Sequence, residues 1–516
     1  MSALDQARRR ASPRLTPPPT PWRSVLIHGA VFALWLGLFA NAFIATGLTG
    51  WAVGLVYIAY DTFLLAFTFW QTLPLRHPAP PPLAAAGARQ SVTIIIAAYN
   101  EAPALAATIA GLTAQSDPPE AILLADDGSD DDSALLLERA FALTAPPLGI
   151  ISAPSPVEPR LRWLRLAHGG KARALNAALD HITTDLFVTV DADTLLDPDA
   201  LRAMRDGFAA DPDLVAATGV LAPQCGPGVQ AQLFEYFQTY EYVRNFLGRF
   251  AWMRLDSLLL ISGAFAGFRH RAVQQVGGFD PDCLVEDYEL IHRLRRYGDQ
   301  QGLLWRSAVL GRARAKTSAP ASPLAFLRQR RRWFGGFLQT QFWYRDMVGA
   351  SRYRALGTAM LPVKAIDTFQ PIYGLCAFGL LLWYLATGQI ALLLPVGGFI
   401  LGKIALDLAF HLWSIRLYRR WVGGQTKARF GHALLASILE PFSFQLLRHL
   451  GASWGWIFAL TGQRSWGQRS WGQRSWGHRA ATQHPNPKPP TFPFRRYSLL
   501  CHKLTPCQKL SLPPKP

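Results

Sequence analysis

The sequence predicts an α/β domain with a mostly parallel sheet, inserted between α-helical transmembrane segments. Three observations carry this. From Ser91 onward, strand-like apolar runs alternate with helix-like stretches, the pattern of parallel strands joined by crossover helices. Apolar runs of about 20 residues, enough for a helix to cross a bilayer, lie on both sides of that region. Half of the 516 residues are hydrophobic and only 17% are charged, against roughly 25% in a soluble protein.

Taken in order, residues 1–23 contain Arg8, Arg9, Arg10, Arg14, Arg23 and several prolines, and read as a flexible basic lead. Ser24 to Thr46 and Trp51 to Leu73 are two apolar spans, giving a hairpin over residues 24–73 that turns at Gly47 to Gly50. A cleavable signal peptide does not fit, because the first run is too long and a second follows at once. The basic lead places both ends of the hairpin in the cytoplasm. Residues 74–90 are Pro/Ala-rich and read as a linker.

Within a cytoplasmic domain over 91–320, Val92 to Ala98, Ala121 to Ala125, Arg162 to Leu166 and Leu186 to Val190 read as strands, and Pro198 to Phe208 as a helix. Sheets of this kind bind ligands at the carboxyl ends of their strands. Residues 321–361 read as interfacial helices. A C-terminal membrane region over 362–461 holds spans at Ala365 to Thr387 and Ile390 to Ile415, followed by a basic, cytoplasmic Arg416 to Arg429. Leu434 to Leu460 is interrupted by Glu440, Pro441 and Arg448, and reads as interfacial or re-entrant, with a third span as the alternative. Residues 462–516 contain QRSWG three times in tandem and read as a disordered basic tail, a dispensable extension with adhesion to anionic lipid as the alternative.

The net charge of +18 is unevenly spread: from Gln463 to the end there are ten Lys/Arg and no Asp/Glu. Other basic residues flank apolar runs, as at cytoplasmic faces of membrane proteins. No zinc-finger, basic-zipper or RNA-binding pattern occurs, so nucleic acid is not the expected partner. The five cysteines have no disulfide or metal-ligand spacing and read as reduced thiols. Asp61, Asp367, Lys403 and Asp407 lie inside the spans, where ionisable groups are costly. Lys403 and Asp407, four apart, read as a pair on one helix face, and Asp367 as a channel-lining group.

Three of the four strands end in polar clusters: Ala98-Tyr99-Asn100-Glu101, Asp126-Asp127-Gly128-Ser129 and Asp191-Ala192-Asp193. A strand has period two, so Asp191 and Asp193 point the same way at its end. Two such carboxylates suit a hard divalent ion, Mg²⁺ or Mn²⁺, completed by substrate phosphates. His168-Gly169-Gly170-Lys171 precedes a helix-like stretch and offers small residues, backbone N–H groups and a cation to an anionic phosphate. It matches neither the Walker nor the dinucleotide pattern.

Downstream come Gly263 to Phe268, Gly277-Gly278-Phe279, Val285-Glu286-Asp287-Tyr288 and Gln329-Arg330-Arg331-Arg332-Trp333. The ordered set AAYNE, DDGS, GGKARALN, DAD, GAFAGF, ED and QRRRW resembles the processive, membrane-bound family 2 glycosyltransferases, the group of cellulose, hyaluronan and poly-N-acetylglucosamine synthases. The resemblance covers roughly Ser91 to Trp333. It implies a GT-A type domain that takes a nucleotide sugar, UDP-linked, as donor and a growing polysaccharide or a lipid-linked species as acceptor. It also implies a multi-pass protein of the plasma (inner) membrane, in contact with membrane lipid and served by an accessory export protein.

By the same resemblance, Asp126 contacts the nucleotide, with Ala98, Asn100 and Glu101 as the neighbouring wall, and Lys171 lies near the diphosphate. Asp191 and Asp193 hold the metal, with Asp191 also facing substrate. Asp287 is the catalytic base of an inverting displacement. Gly263 belongs to an acceptor-side loop, and Gln329, Arg332 and Trp333 belong to a QxxRW motif that serves diphosphate and acceptor. Val285 stands where several members have threonine, which bears on acceptor selectivity more than on chemistry. A non-processive transferase acting on a membrane lipid is the nearest alternative, and a non-enzymatic transporter or scaffold the alternative of another class. Hydrolysis with paired carboxylates would leave GGK and DAD without a role.

Overall fold

The computed structural model describes residues 2–45, 47–78, 89–423, 428 and 430–461. The first element corrects the expected flexible lead: Ala3–Ala11 form a helix, α1. Ser2 caps it reciprocally with Asp5, an arrangement that satisfies amides left open at a helix start. Arg8, Arg9 and Arg10 occupy its last turn, where cations suit the helix dipole.

Helices α2 (Trp22–Ile44) and α3 (Ala52–Thr72) follow, close to the expected hairpin. Leu73–Arg76 form a short helical turn with Leu75 buried; residues 79–88 of the expected linker lie outside the described residues. The domain is then built from β1 (Val92–Ala98), α4 (Ala102–Thr113), β2 (Ala121–Asp126), α5 (Ser133–Phe141), β3 (Leu161–Arg165), α6 (Lys171–Leu179), β4 (Leu186–Asp191), β5 (Thr194–Leu196), α7 (Ala200–Ala210), β6 (Leu214–Gln224), α8 (Val229–Arg254), β7 (Phe265–Arg269), α9 (His270–Val276), α10 (Glu286–Gln300) and β8 (Arg306–Ser318).

The eight strands form one sheet in the order β3-β2-β1-β4-β7-β6-β8-β5. Four of the seven pairings are parallel, namely β1 with β2, β1 with β4, β2 with β3 and β6 with β8. Strand β7 runs antiparallel between β4 and β6. All seven residues of β1 are buried, which explains its unbroken apolar sequence, since a central parallel strand is covered on both faces. The register pairs Ala98 with Asp126 and Ala97 with Asp191. The three polar clusters therefore meet along one edge of the sheet.

Helix α11 (Pro323–Trp343) carries QRRRW and leads to α12 (Leu361–Ala386), α13 (Ile390–Val422), α14 (Phe430–Leu439) and α15 (Phe444–Leu460). Among the described residues, four helices are long and apolar enough to cross a membrane: those holding α2, α3, α12 and α13. The segment containing Leu434 to Leu460 forms two helices broken at Glu440–Phe442, where Pro441 cannot donate a helical hydrogen bond. Helix α15 packs on α11 backbone to backbone: a Cβ at Gly455 would lie 2.8 Å from the Arg331 carbonyl oxygen.

Charges in the spans are paired. Lys403 bonds Asp61 at 2.7 Å and also Asp407. Asp367, expected to line a channel, instead accepts from Tyr60 (2.5 Å) and Lys364 (2.7 Å). The chain divides after Ser475 into two units; the basic tail with its repeats lies outside the described residues.

Candidate active site

The loop after β1 is latched to the loop after β2. Asn100 adopts a left-handed φ of +58°, a conformation asparagine tolerates better than most residues. Its Nδ2 donates to Asp130 (2.5 Å), its Oδ1 accepts from the Asp130 amide (2.9 Å), and its own amide donates to Ser129 Oγ (3.0 Å). The Ala98 carbonyl accepts from the Asp127 amide at 2.8 Å, and Glu101 precedes α4. Asp126 is buried and held by the Ser129 amide (2.9 Å) and Trp163 Nε1 (3.2 Å). Tyr99 stacks on His168 with centroids 4.2 Å apart.

One expectation for the GGK loop needs correction. The Gly169 and Gly170 amides, expected to be offered to a phosphate, donate to the two carboxylate oxygens of Asp127 at 2.8 and 2.9 Å. His168 Nδ1 stands 3.0 Å from the same group. Burial pushes the Asp127 carboxyl up, against the pull of these donors. There is no room for a side chain at Gly128: a Cβ there, where φ is +76°, would lie 2.7 Å from the His168 amide nitrogen.

Lys171 opens α6 and pairs with Asp191 at the end of β4. Burial works against its charge, but Asp191, Glu286 and Asp287 outweigh it and hold the ammonium above the ordinary lysine value. Burial, and then the charge of Asp191, push the neighbouring Asp193 carboxyl up to about 6. Two carboxylates crowded in this way fit a hard divalent ion that takes its remaining ligands from water and phosphate. No group of three His, Cys, Asp or Glu placed to hold a metal ion occurs among the described residues, so an ion here would take further ligands from water or substrate.

The Gly263 loop and the ED motif meet beside β7. The Gly263 amide donates to Asp287 Oδ2 at 2.7 Å, and the Tyr288 amide donates to Oδ1 at 2.8 Å. Gly263 is itself tied to β4, its carbonyl accepting from Thr189 Oγ1 at 3.1 Å. Burial and the charge of Asp287 raise the Glu286 carboxyl, with Lys171 and Arg332 opposing. Lys171, Asp191, Glu286, Asp287 and Arg332 thus form one electrostatic cluster, although they come from four separate motifs.

Helix α11 closes this side. Arg332 donates to the Leu284 carbonyl at 3.2 Å, and Gln339 accepts from the Leu284 amide at 3.1 Å. Val285 packs on Gly336, where a Cβ would overlap it. Trp333 has the Arg330 guanidinium 4.4 Å from its ring centre, and Arg330 is bonded to Glu241 at 2.7 Å. The Gln329 side-chain oxygen is buried without a hydrogen bond.

The structure adds residues that the sequence reading did not assign. Asp127 and His168 lie inside motifs already noted, and Trp163 alternates inward along β3, so each had a signal. Arg249 on α8 had none. Its Nε and Nη1 are closed off from solvent without a partner, its guanidinium lies 4.5 Å from the Phe246 ring, and it feels the charge of Asp287.

Comparisons with known proteins bear on the fold and the family. Residues 93–277 match the family model described as "Glycosyl transferase family 2", and residues 186–415 match "Glycosyl transferase family group 2". The poly-beta-1,6-N-acetyl-D-glucosamine synthase of Staphylococcus aureus (strain COL) is 32% identical over 133 residues, which is 25% of this chain and 31% of that protein. Its namesake in Staphylococcus epidermidis is 30% identical over 132 residues, 25% of this chain and 30% of the relative. The chain thus matches about a third of the length of these relatives. A mannosyltransferase from Pyrobaculum calidifontis, solved with GDP-mannose and Mn²⁺, shares the fold with a TM-score of 0.51 and 19% identity, over 76% of this chain and 99% of that one. With two family models running from the first strand through α12 and most of α13, and with synthase relatives behind them, residues 93–415 carry a family 2 glycosyltransferase region.

Proposed function

We propose that the chain is a membrane-embedded transferase that moves a sugar from a UDP-linked donor to a growing polysaccharide with inversion, and passes the polymer across the membrane. The observation that carries this is the placement of Asp287. Both its oxygens are fixed by backbone amides, and it shares an electrostatic cluster with Lys171 and Asp191.

In this reading the nucleoside sits against Asp126, Asn100 and Tyr99, at the carboxyl ends of β1 and β2. Asp287 takes the proton of the acceptor hydroxyl as that oxygen attacks the anomeric carbon. The new carbon–oxygen bond forms as the bond to the diphosphate breaks, and the nucleoside diphosphate leaves. Lys171 and Arg332 face the charge that develops there. Asp191 and Asp193 would hold Mg²⁺ or Mn²⁺, which when bound supplies Lewis-acid neutralisation of the diphosphate. The Mn²⁺ bound by the mannosyltransferase neighbour supports a divalent ion. Trp333, covered on one side by Arg330, offers its remaining indole surface to an acceptor sugar.

The four long apolar helices flank the domain in sequence, and the basic residues beside them support a cytoplasmic orientation of the domain. Turnover of the purified full chain against a panel of UDP- and GDP-sugars, with sizing of the product, tests the proposal. Polymer is the expected product; only mono- or disaccharide lipids would replace the synthase reading with lipid glycosylation.

A further inference from the structure

The loop that leads to Asp287 is held from three sides. Gly277 and Gly278 take left-handed φ values of +84° and +69°, so the chain reverses between α9 and α10. From α6, Asn176 donates to the Phe279 carbonyl (2.8 Å) and accepts from the Phe279 amide (2.7 Å). From α10, Arg293 donates to the carbonyls of Val276 (2.8 Å) and Gly278 (2.6 Å).

The third side is α1, which lies before the first membrane helix in sequence. Arg8 Nη1 donates to the Phe279 carbonyl at 2.8 Å. Just beyond α1, Arg14 grips Asp280 with Nε and Nη2, each at 2.8 Å, and that carboxylate is fully buried. Arg296 on α10 donates to the Ala11 carbonyl at 3.4 Å, and the Arg14 guanidinium lies 5.5 Å from the Trp343 ring centre on α11. The contact is backbone against backbone, since a Cβ at Gly277 would overlap the Arg8 nitrogen and the Leu4 carbonyl oxygen.

A solvated basic lead needs none of these features. A two-point guanidinium–carboxylate grip fixes orientation as well as charge, and burying Asp280 is tolerable only with that partner in place. The far end of the same loop is anchored on α11 through Leu284. Its near end depends on α1, α6 and Arg293.

We propose that α1 and Arg14 form a positioning strap that holds loop 277–284, so that Asp287 stays against the Gly263 amide. The strap links the first membrane helix to the acceptor side of the site. This rests on the reading of Asp287 as the base; Arg14 is a positioning residue that acts through Asp280.

The test uses the full chain in lipid nanodiscs. Release of nucleoside diphosphate, affinity for free UDP and the thermal midpoint are measured for Arg14→Ala, Arg14→Lys, Asp280→Asn and Asp287→Asn. Leu161→Ala, at the amino end of edge strand β3, serves as a control that weakens the core far from the loop. Arg14→Ala is expected to lower kcat roughly tenfold or more, in line with the sensitivity of catalysis to small misplacements, while UDP affinity stays within about twofold. Arg14→Lys, which keeps the charge without the fork, recovers part of the loss. Asp280→Asn, neutral and of the same shape, carries the same expectation as Arg14→Ala should that variant fail to accumulate. Equal kcat for Arg14→Ala and Leu161→Ala at equal loss of thermal midpoint would overturn the strap, as would wild-type turnover in Arg14→Ala and Asp280→Asn. Turnover retained by Asp287→Asn would remove the base reading and the strap together. An inactive Asp287→Asn beside unaffected Arg14 variants would remove the strap alone.

Discussion

Gly263→Ala gives the sharpest test of how the base is held. An added Cβ would lie 3.0 Å from Asp287 Oδ2, 3.1 Å from its Cβ and 3.3 Å from its Cγ. Comfortable contacts between such atoms begin near 3.5 Å, so the carboxylate must retreat by a few tenths of an ångström or stretch its 2.7 Å bond to the Gly263 amide. A misplacement of about 1 Å costs on the order of 10²-fold in rate; a third to a half of that shift scales to a loss of roughly five- to tenfold in kcat. Donor binding should not change, because Ala98, Asn100 and Asp126 lie at the ends of other strands. The assay is nucleoside diphosphate release at saturating donor, with UDP affinity measured in parallel. Gly111→Ala, where an added Cβ meets nothing within 4 Å, should leave both unchanged. Wild-type kcat in Gly263→Ala, or a loss explained entirely by weaker UDP binding, would refute the reasoning.

Three further outcomes are expected. Asp127→Asn replaces one acceptor oxygen by a donor facing the Gly169 or Gly170 amide; a charged hydrogen bond contributes about 1.5–3 kcal/mol, so UDP affinity should fall at least tenfold, read by calorimetry. Gly336→Ala forces a methyl group into Val285 and should cost about 1–3 kcal/mol by overpacking; adding Val285→Ala should restore the thermal midpoint. Asp191→Asn and Asp193→Asn should each weaken Mn²⁺ binding in the presence of UDP, followed by electron paramagnetic resonance, while UDP binding without metal changes less.

The parts of this molecule that were legible in its sequence are those where local pattern and tertiary demand coincide. The bounds of strand β1, Val92–Ala98, are visible in the sequence because a central parallel strand is apolar on both faces. The polar residues that end β1, β2 and β4 stand out against those apolar runs, and the register brings them together. What local pattern cannot express is pairing across the chain. Gly263 and Asp287 meet because β7 runs antiparallel beside β4, and a run of small residues carries no sign of that direction. The amides of Gly169 and Gly170 were read as free for phosphate because nothing in the GGK segment reveals that Asp127 reaches them. Helix α1 was hidden by its arginines and the prolines after it, although Ser2 and Asp5 have the spacing of a helix start. Arg249 lies in a long helix without a motif, and only burial of its donors draws notice to it.

The central claim is that Asp287 removes the acceptor proton. Asp287→Asn keeps the shape of the side chain and an oxygen to accept from the Gly263 or Tyr288 amide, but cannot take a proton at neutral pH. Single-turnover transfer from radiolabelled donor, measured on protein shown to bind UDP as the wild type does, tests this most directly. A loss of about 10²- to 10⁴-fold, the range expected when a general base is removed, is predicted; transfer within a few-fold of wild type would contradict it.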